Sequence, residues 1–390
     1  MGKKIAIVTS HPIQYYAPLF KLLAQGIELK VFYTWGKDSV EKYDPGFGKT
    51  VQWDVPLLEG YTYQYLENTS EEPGSHHFKG IKNPTIVKEI IDYNPSAILV
   101  IGWGYHSHLK VLRYFKGKIP LYFRGDSTLL DNHSSGVVGK IKNLVRRLFL
   151  AWVYSHVDKA FYVGQESKAY FMWANLKELQ LVFSPHSIDN KRFIPDYSNQ
   201  ANELRKSLSI SLTDRVILFA GKFESKKNPL LLLNAFLEAS TENIHLLFIG
   251  NGLEEQKLKG LSTSSSKSSF IHFVDFQNQS MMPIWYQLSD VFCLPSKGPG
   301  ETWGLAVNEA MASRRTIIVS NKVGCGKDLV RNGINGWIFE SENKQALREL
   351  IEKIPSREAL GKMGETSNEI IKNWGLEVTA NCILKEWRNI

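Results

Sequence analysis

The sequence predicts an α/β protein made of two Rossmann-like, doubly wound domains. Three observations carry that prediction. Short apolar runs alternate with helical patterns through the first half, a polar, serine-rich stretch follows near residue 200, and the same alternation then restarts. A chain of 390 residues is long enough for two domains, each with its own core.

The first half offers strand candidates KIAIVT from Lys4, LKVFY from Leu29, AILVIG from Ala97, PLYF from Pro120 and KAFYVG from Lys159. Helix candidates lie between them, among them APLFKLLAQ from Ala17, IVKEIIDY from Ile86 and HLKVLRYFKG from His108. The stretch PDYSNQANELRKSLSISLTD, from Pro195, reads as the connection between domains. Strands resume with VILFA, HLLFIG, SFIHFV and DVFCLP. The expected domains are residues 1–195 and 196–372, with a last helix over 373–390 able to pack back on the first domain.

Composition excludes several classes. Apolar residues make up 43% and aromatics 12%, which suits a globular chain rather than a disordered one. Cys293, Cys325 and Cys382 are odd in number and widely spaced, so they read as reduced thiols of a cytoplasmic protein. The opening MGKKIAIVTSHP holds too short an apolar run for a signal peptide, and no apolar stretch is long enough to span a bilayer. Net charge is uneven: residues 1–195 carry 24 Lys/Arg against 17 Asp/Glu, and residues 196–390 carry 23 against 22. No arginine-rich arm or RNA-binding aromatic signature accompanies this excess, so no nucleic-acid partner is expected. A phosphate-bearing acceptor or an anionic membrane surface fits better.

The most informative stretch is GPGETWGLAVNEAMA, residues 298–312. Its glycines and proline favour a loop, and Leu305 onward favours a packed helix begun near Gly304. Glu301 then lies in the loop and Glu309 about 8 Å along the helix, where two carboxylates can grip two hydroxyl-bearing parts of one ligand. Amides at Trp303, Gly304 and Leu305 would receive a phosphate. The alternative is a first-turn glutamate favoured by the helix dipole and a second one that is merely solvated. After VILFA, Lys222 and Lys227 stand five apart, with Asn228-Pro229 opening the next helix. Two ammonium groups there suit a diphosphate; a solvated lysine loop containing Lys226 is the alternative. Gly250 and Gly252 would let backbone approach a nucleotide, although tight turns need glycine anyway.

With GKFESKKNPLLLLNAF from Gly221, IGNGLEEQKL from Ile249 and VGCGKDLVRNGINGWIFE from Val323, these motifs stand in one order. The chain resembles glycosyltransferase family 4 of the GT-B superfamily, closely over about residues 215–345 and only in layout over 1–200. The resemblance implies a GT-B fold, with two Rossmann-like domains facing each other across a cleft. It implies a retaining, metal-independent transfer of a hexose from a UDP- or GDP-linked donor to a saccharide or lipid-linked saccharide, in cell-surface polysaccharide synthesis. By that resemblance Glu309 holds ribose hydroxyls, Glu301 the sugar hydroxyls and Lys222 and Lys227 the diphosphate, and Phe276 and Gln277 fall where the base is held largely by backbone contacts; a core aromatic is the alternative for Phe276. The family usually has arginine at Lys222 and glycine at Asn228. A GT-B epimerase, a phosphorolytic enzyme and a catalytically silent assembly subunit are the other readings.

The acceptor side is carried by SHPIQYYAP from Ser10, where His11, Gln14 and Tyr15 leave the first strand. Arg124 and Asp126 follow a later strand; the arginine suits a phosphate and the aspartate a hydroxyl or a helix cap. His106 and His108 are further candidates, though a lone histidine is more often packed or solvated. No Asp-x-Asp and no acidic-histidine cluster is present, so no metal and no other cofactor is expected. Within VVGKIKNLVRRLFLAWVYSHV, residues 137–157, Ile141, Leu144, Val145, Leu148, Phe149 and Trp152 form a stripe at helical spacing among Lys140, Lys142, Arg146 and Arg147. That pattern fits a helix lying peripherally on an anionic membrane, or one whose stripe packs into the core and leaves a basic face outside.

Overall fold

Apolar runs as continuous as IAIV and VILF are buried on both faces only when helices cover both sides of a parallel sheet. The computed structural model, which describes residues 3–39, 42–44, 46–132 and 136–388, has two such sheets. The strands in chain order are β1 (Lys4–Thr9), β2 (Glu28–Tyr33), a short pair β3 (Lys42–Asp44) and β4 (Lys49–Val51), β5 (Thr62–Tyr65), β6 (Ala97–Ile101), β7 (Leu121–Gly125), β8 (Lys159–Tyr162) and β9 (Leu181–Phe183). Then come β10 (Arg215–Ala220), β11 (Ile244–Ile249), β12 (Ile271–Val274), β13 (Val291–Leu294), β14 (Thr316–Ser320) and β15 (Gly336–Phe339).

Two units separate by their contacts. One comprises residues 1–42, 55–186 and 376–390, and the other residues 43–54 and 187–375. The first unit's sheet runs β5-β2-β1-β6-β7-β8-β9, all parallel. Its helices are α1 (Ala17–Gly26), α2 (Ile86–Tyr93), α3 (His106–Phe115), α4 (Gly136–Tyr154) and α5 (Gln165–Trp173). The second sheet runs β12-β11-β10-β13-β14-β15, again parallel. It is covered by α6 (Ser198–Ser207), α7 (Pro229–Glu238), α8 (Glu255–Thr263), α9 (Met282–Leu288), α10 (Leu305–Ala312), α11 (Gly326–Leu329), α12 (Lys344–Glu352) and α13 (Arg357–Ile371). Each sheet grows outward in both directions from its first strand, so strand order reverses at β1/β6 and at β10/β13.

The last helix, α14 (Leu376–Arg388), belongs to the first unit. Leu376, Ala380, Ile383, Leu384 and Trp387 join Ile5, Leu19, Phe20, Leu23 and Leu99 in one core, and Glu386 pairs with Lys159. The other face of the same sheet is filled by Val8, Phe32, Ile98, Val111 and Phe123.

Three expectations change. The unit boundary falls between His186 and Ser187 rather than at residue 195, and residues 43–54 join the second unit although they lie in the first half. The polar stretch after Pro195 is no bare connection: it forms α6, whose Arg205 is 1% exposed. That guanidinium donates to Leu288 O at 2.9 Å and to Asp290 Oδ2 at 2.9 Å, which makes a charged side chain a core element. Finally, the stripe of α4 does not pack inward. Ile141, Leu144, Val145, Leu148, Phe149 and Trp152 are 42–62% exposed, while the buried side of the helix is made by Gly139, Leu150, Val153 and Tyr154.

Candidate active site

In open α/β sheets a ligand sits outside the carboxyl ends of the strands where their order reverses. In the second unit that place lies beyond β10 and β13. The loop after β10 carries Lys222 and Lys227, and the loop after β13 carries Glu301. The two loops meet: Lys227 Nζ donates to Glu301 Oε2 at 2.8 Å, and Ser296 Oγ donates to the same oxygen at 3.1 Å. Glu301 is only 8% exposed, so this is a nearly desolvated pair rather than a surface contact.

Local backbone explains how a lysine loop holds this pose. Asn228 caps α7 with φ 56° and ψ 46°, a left-handed conformation that asparagine tolerates better than most residues other than glycine. That accounts physically for asparagine where glycine is usual, with Pro229 opening the helix behind it. Gly250 and Gly252 serve the same loop. A Cβ on Gly250 would meet Gly221 O at 2.0 Å, and one on Gly252 would meet the backbone of Phe223 at 2.6–2.8 Å. Phe223 N also donates to Asn251 O at 2.9 Å. The absence of a Cβ at Gly252 lets the loop after β11 pack on Phe223, in the loop that carries Lys222 and Lys227.

Gly304 has φ +98° and ends the loop where α10 begins, so the expected helix start is where the structure has it. A Cβ there would meet Val323 Cγ1 at 2.9 Å and Leu294 Cδ2 at 3.1 Å. The glycine-rich turn 323–326 latches onto this loop, with Gly324 N donating to Glu301 O at 3.2 Å and Cys325 N to Trp303 O at 3.0 Å. A Cβ on Gly324 would lie 1.7 Å from Thr302 O, so no other residue fits. Gly304 and Leu305 open the helix, where first-turn amides lack intrahelical acceptors. The Trp303 side chain acts elsewhere, within the core: its indole is 3% exposed, donates to Asn308 Oδ1 at 2.9 Å and packs on Trp374. Glu309, further along α10, is 3% exposed and accepts from the Tyr286 hydroxyl at 2.9 Å.

Residues 46–53 add a component that sequence reasoning missed. Phe276 is half-buried and meets Phe47 edge-on at 4.8 Å and Trp53 at 5.9 Å. Lys222 Nζ lies 5.0 Å from the centre of the Phe47 ring. Asp54 accepts from Ser280 N at 3.1 Å and Asn278 Nδ2 donates to Gln52 O at 2.7 Å, which ties the segment to the loop after β12. Ser296, Tyr286 and Gly324 were missed as well; only the serine and glycine lay close enough to a recognised motif to signal themselves.

At the first unit's reversal, His11, Gln14 and Tyr15 follow β1 and are half-buried. His11 Nδ1 lies 2.9 Å from Ser10 Oγ, and its ring meets Trp35 edge-on at 5.2 Å. Arg124, expected to reach a phosphate, is instead 1% exposed and its fork is taken up by protein carbonyls. Nη1 donates to Ser184 O at 2.9 Å and Oγ at 2.7 Å, and Nη2 to Pro185 O at 2.9 Å. His186, unremarked in the sequence, stacks on Tyr16 near Asp126, and burial holds its pKa down to about 4. His108 is also a packed histidine: it lies 2.9 Å from Thr34 Oγ1 and 2.7 Å from Gly102 O, and burial lowers its pKa to about 4. His106 is exposed at the start of α3, and partial burial followed by Lys110 and Lys82 lowers its pKa. It stands against Phe78 rather than with His11. Among the described residues, no group of three or more His, Cys, Asp or Glu is placed to hold a metal ion, and no helix is long and apolar enough to cross a membrane.

Residues 200–374 match the family described as glycosyl transferases group 1. The spore coat protein SA of Bacillus subtilis is 29% identical over 239 residues, which are 57% of this chain and 62% of that protein. The alpha-monoglucosyldiacylglycerol synthase of Acholeplasma laidlawii is 29% identical over 185 residues, 47% of this chain and 46% of that one. The matches therefore span about half to three fifths of these relatives. Among solved structures, Anabaena Alr3699/HepE in complex with UDP and glucose aligns over 100% of both chains, with TM-score 0.74 at 15% identity. Sucrose-phosphate synthase from Thermosynechococcus elongatus aligns over 99% of this chain and 98% of that one, with TM-score 0.72 at 18% identity. The chain has the GT-B fold and is related to the family 4 nucleotide-sugar glycosyltransferases.

Proposed function

We propose that this protein is a retaining, metal-independent glycosyltransferase that moves a hexose from a UDP- or GDP-linked donor to a saccharide or lipid-linked saccharide. The observation that carries the reading is the Lys227–Glu301–Ser296 contact at the β10/β13 reversal, beside the first turn of α10. A diphosphate entering there supplies the negative charge that Glu301 now gives Lys227. Lys227, Lys222 and the amides near Gly304 then hold the phosphates and stabilise charge on the leaving group. Glu301, relieved of its lysine, is left to accept from sugar hydroxyls, and Glu309 from ribose hydroxyls. Phe276, with Phe47 and Trp53, gives the base an aromatic edge. In this reading the acceptor hydroxyl attacks the face the leaving group departs from, and a donor phosphate oxygen takes its proton, so no enzymic nucleophile is named.

The first unit would carry the acceptor, with His11, Gln14, Tyr15 and Asp126 as contacts and Arg124 as a positioning residue. It would also touch an anionic membrane peripherally through residues 137–157, on the cytoplasmic side. The support is the outward stripe of α4: at 3.6 residues per turn its six residues fall within an arc of about 140°, with basic residues on both flanks. A relative named for making monoglucosyldiacylglycerol suits an acceptor that resides in lipid.

The test is a panel of sugar nucleotides read by ligand-induced thermal shift, since a ligand that binds only the folded state raises the midpoint. UDP- or GDP-hexoses should raise it. Glu309→Ala should weaken binding of the free nucleotide, whereas Glu301→Ala should spare the nucleotide and weaken the intact donor. Equal losses for free nucleotide in both variants would sink this division of roles.

A further inference from the structure

Between α3 and α4 the first unit holds a cavity of about 840 Å³. Phe149 and Trp152 from the outward stripe of α4 line it together with further apolar side chains from the α3 side, Leu109 and Tyr114 among them, and Lys110 and Arg113 of α3 supply its permanent cations. Arg113 lies with its guanidinium carbon 5.7 Å from the centre of the Trp152 ring, so a cationic fork is held at the edge of the apolar surface. Neither α3 nor α4 contributes a carboxylate to this lining. The cavity is thus largely apolar, continuous with the exposed stripe on the α4 side and carrying two cations on the α3 side.

From this we infer that the α3–α4 cavity is a binding site for the phosphate headgroup of a membrane lipid, with the stripe of α4 seated among the acyl chains. The inference rests on the peripheral membrane contact proposed above and names its lipid. Exposed apolar side chains in a contiguous row mark an interaction surface. A soluble protein partner would need no concentration of cations beside that row, whereas a bilayer presents phosphate at the depth where the basic groups flank the apolar ones. Lys140 and Arg147 on one flank of α4, and Lys142 and Arg146 on the other, attract any anionic surface. Arg113 and Lys110 differ from them because they line a cavity: Lys110 Nζ donates to Pro84 O at 3.2 Å and Arg113 lies over Trp152, and an anion entering the cavity would draw both cations to it. A phosphomonoester headgroup, with a charge of about −1.5 to −2 and three acceptor oxygens, suits two cations in one cavity better than a singly charged diester.

The full-length protein is floated with vesicles of phosphatidylcholine alone, and with equal mole fractions of phosphatidylglycerol or phosphatidic acid. Binding should be absent on the first, present on the second, and about tenfold tighter on the third, the margin of one charge-assisted contact. The Lys110→Gln/Arg113→Gln variant should bind phosphatidic acid no better than phosphatidylglycerol while keeping its thermal midpoint and its sugar-nucleotide shift. Leu144→Ser/Leu148→Ser should lose both anionic vesicles. Equal binding of the two anionic lipids by the parent protein overturns the headgroup site and leaves the membrane contact standing. No binding to either overturns the membrane contact too, while the sugar-nucleotide shift decides the transferase reading separately. Competition by inorganic phosphate at the same concentration as lipid phosphate would show a free-anion site, and the lipid assignment would fall.

Discussion

The two units share a strand order and a way of burying a parallel sheet, yet they hold their charges differently. In the second unit, charges meet inside: Lys227 with Glu301 at 2.8 Å, and Arg205 and Arg357 on the two oxygens of Asp290 at 2.9 Å each. In the first, Arg124 is buried among carbonyls, and a large basic group stands outside on α4 next to exposed apolar residues. Buried opposite charges fix loop geometry, because separating them leaves an uncompensated ion in a poor solvent. The basic groups of α4 tie it to the end of α5, where Arg147 Nε donates to Trp173 O at 2.9 Å and Arg146 lies over the Trp173 ring, but the apolar stripe beside them is left exposed. On the reading proposed above, the second unit would hold a small anion in one pose, and the first would meet a surface.

The largest effect that tests this contrast falls on stability. Trp387 is fully buried in the first unit's core, and Trp387→Ala should cost roughly 3–5 kcal/mol there. Calorimetry should show the first unit's transition move down while nucleotide binding persists below it; joint loss of both would mean the units do not unfold separately. Next come the loop charges. Lys227→Ala should reduce kcat/KM by the equivalent of about 2–4 kcal/mol, and Lys222→Ala by less. A double alanine variant with near-normal turnover would remove the leaving-group role and with it the second half of the contrast.

A smaller effect is common to both units. His108 in the first and His272 in the second are held near pKa 4, each mainly by burial. The unfolded chain takes up these protons near pH 6.5 and the folded one only near 4, so the unfolded state binds more protons between those values. Stability should fall progressively as pH drops from about 6.5 to 4 and show no further loss from these groups below that. His108→Asn and His272→Asn should each flatten the slope; an unchanged slope would assign the acid sensitivity elsewhere. The smallest expected effect is none: turnover should persist in excess EDTA. Complete loss, restored by magnesium or manganese, would show that lysines do not do the neutralising.

Legibility in the sequence followed the reach of the interactions. The loop at Glu301, the helix start at Gly304 and the lysine loop were readable because each rests on residues within a few positions: a turn, a cap, a first-turn proline. Glu309 was readable by spacing, but its Tyr286 partner on α9 was not. Phe276 was placed beside the base without its neighbours Phe47 and Trp53, which reach it from more than two hundred residues away. Arg124 looked like a ligand because a strand-end arginine has that chemistry; the carbonyls of Ser184 and Pro185 that occupy it belong to another strand's end.

By itself, then, the sequence determined the two parallel sheets, the order of the donor-side motifs and the amphipathic stripe of α4, all properties of periodicity and near neighbours. Tertiary structure alone decided that residues 43–54 join the second unit and that α14 returns to the first. It also decided that Gly252 makes room for Phe223 and that the stripe of α4 faces out. The reason is the same in each case. A periodic pattern tells which side chains share a face, but only the surfaces brought against that face tell whether it is buried.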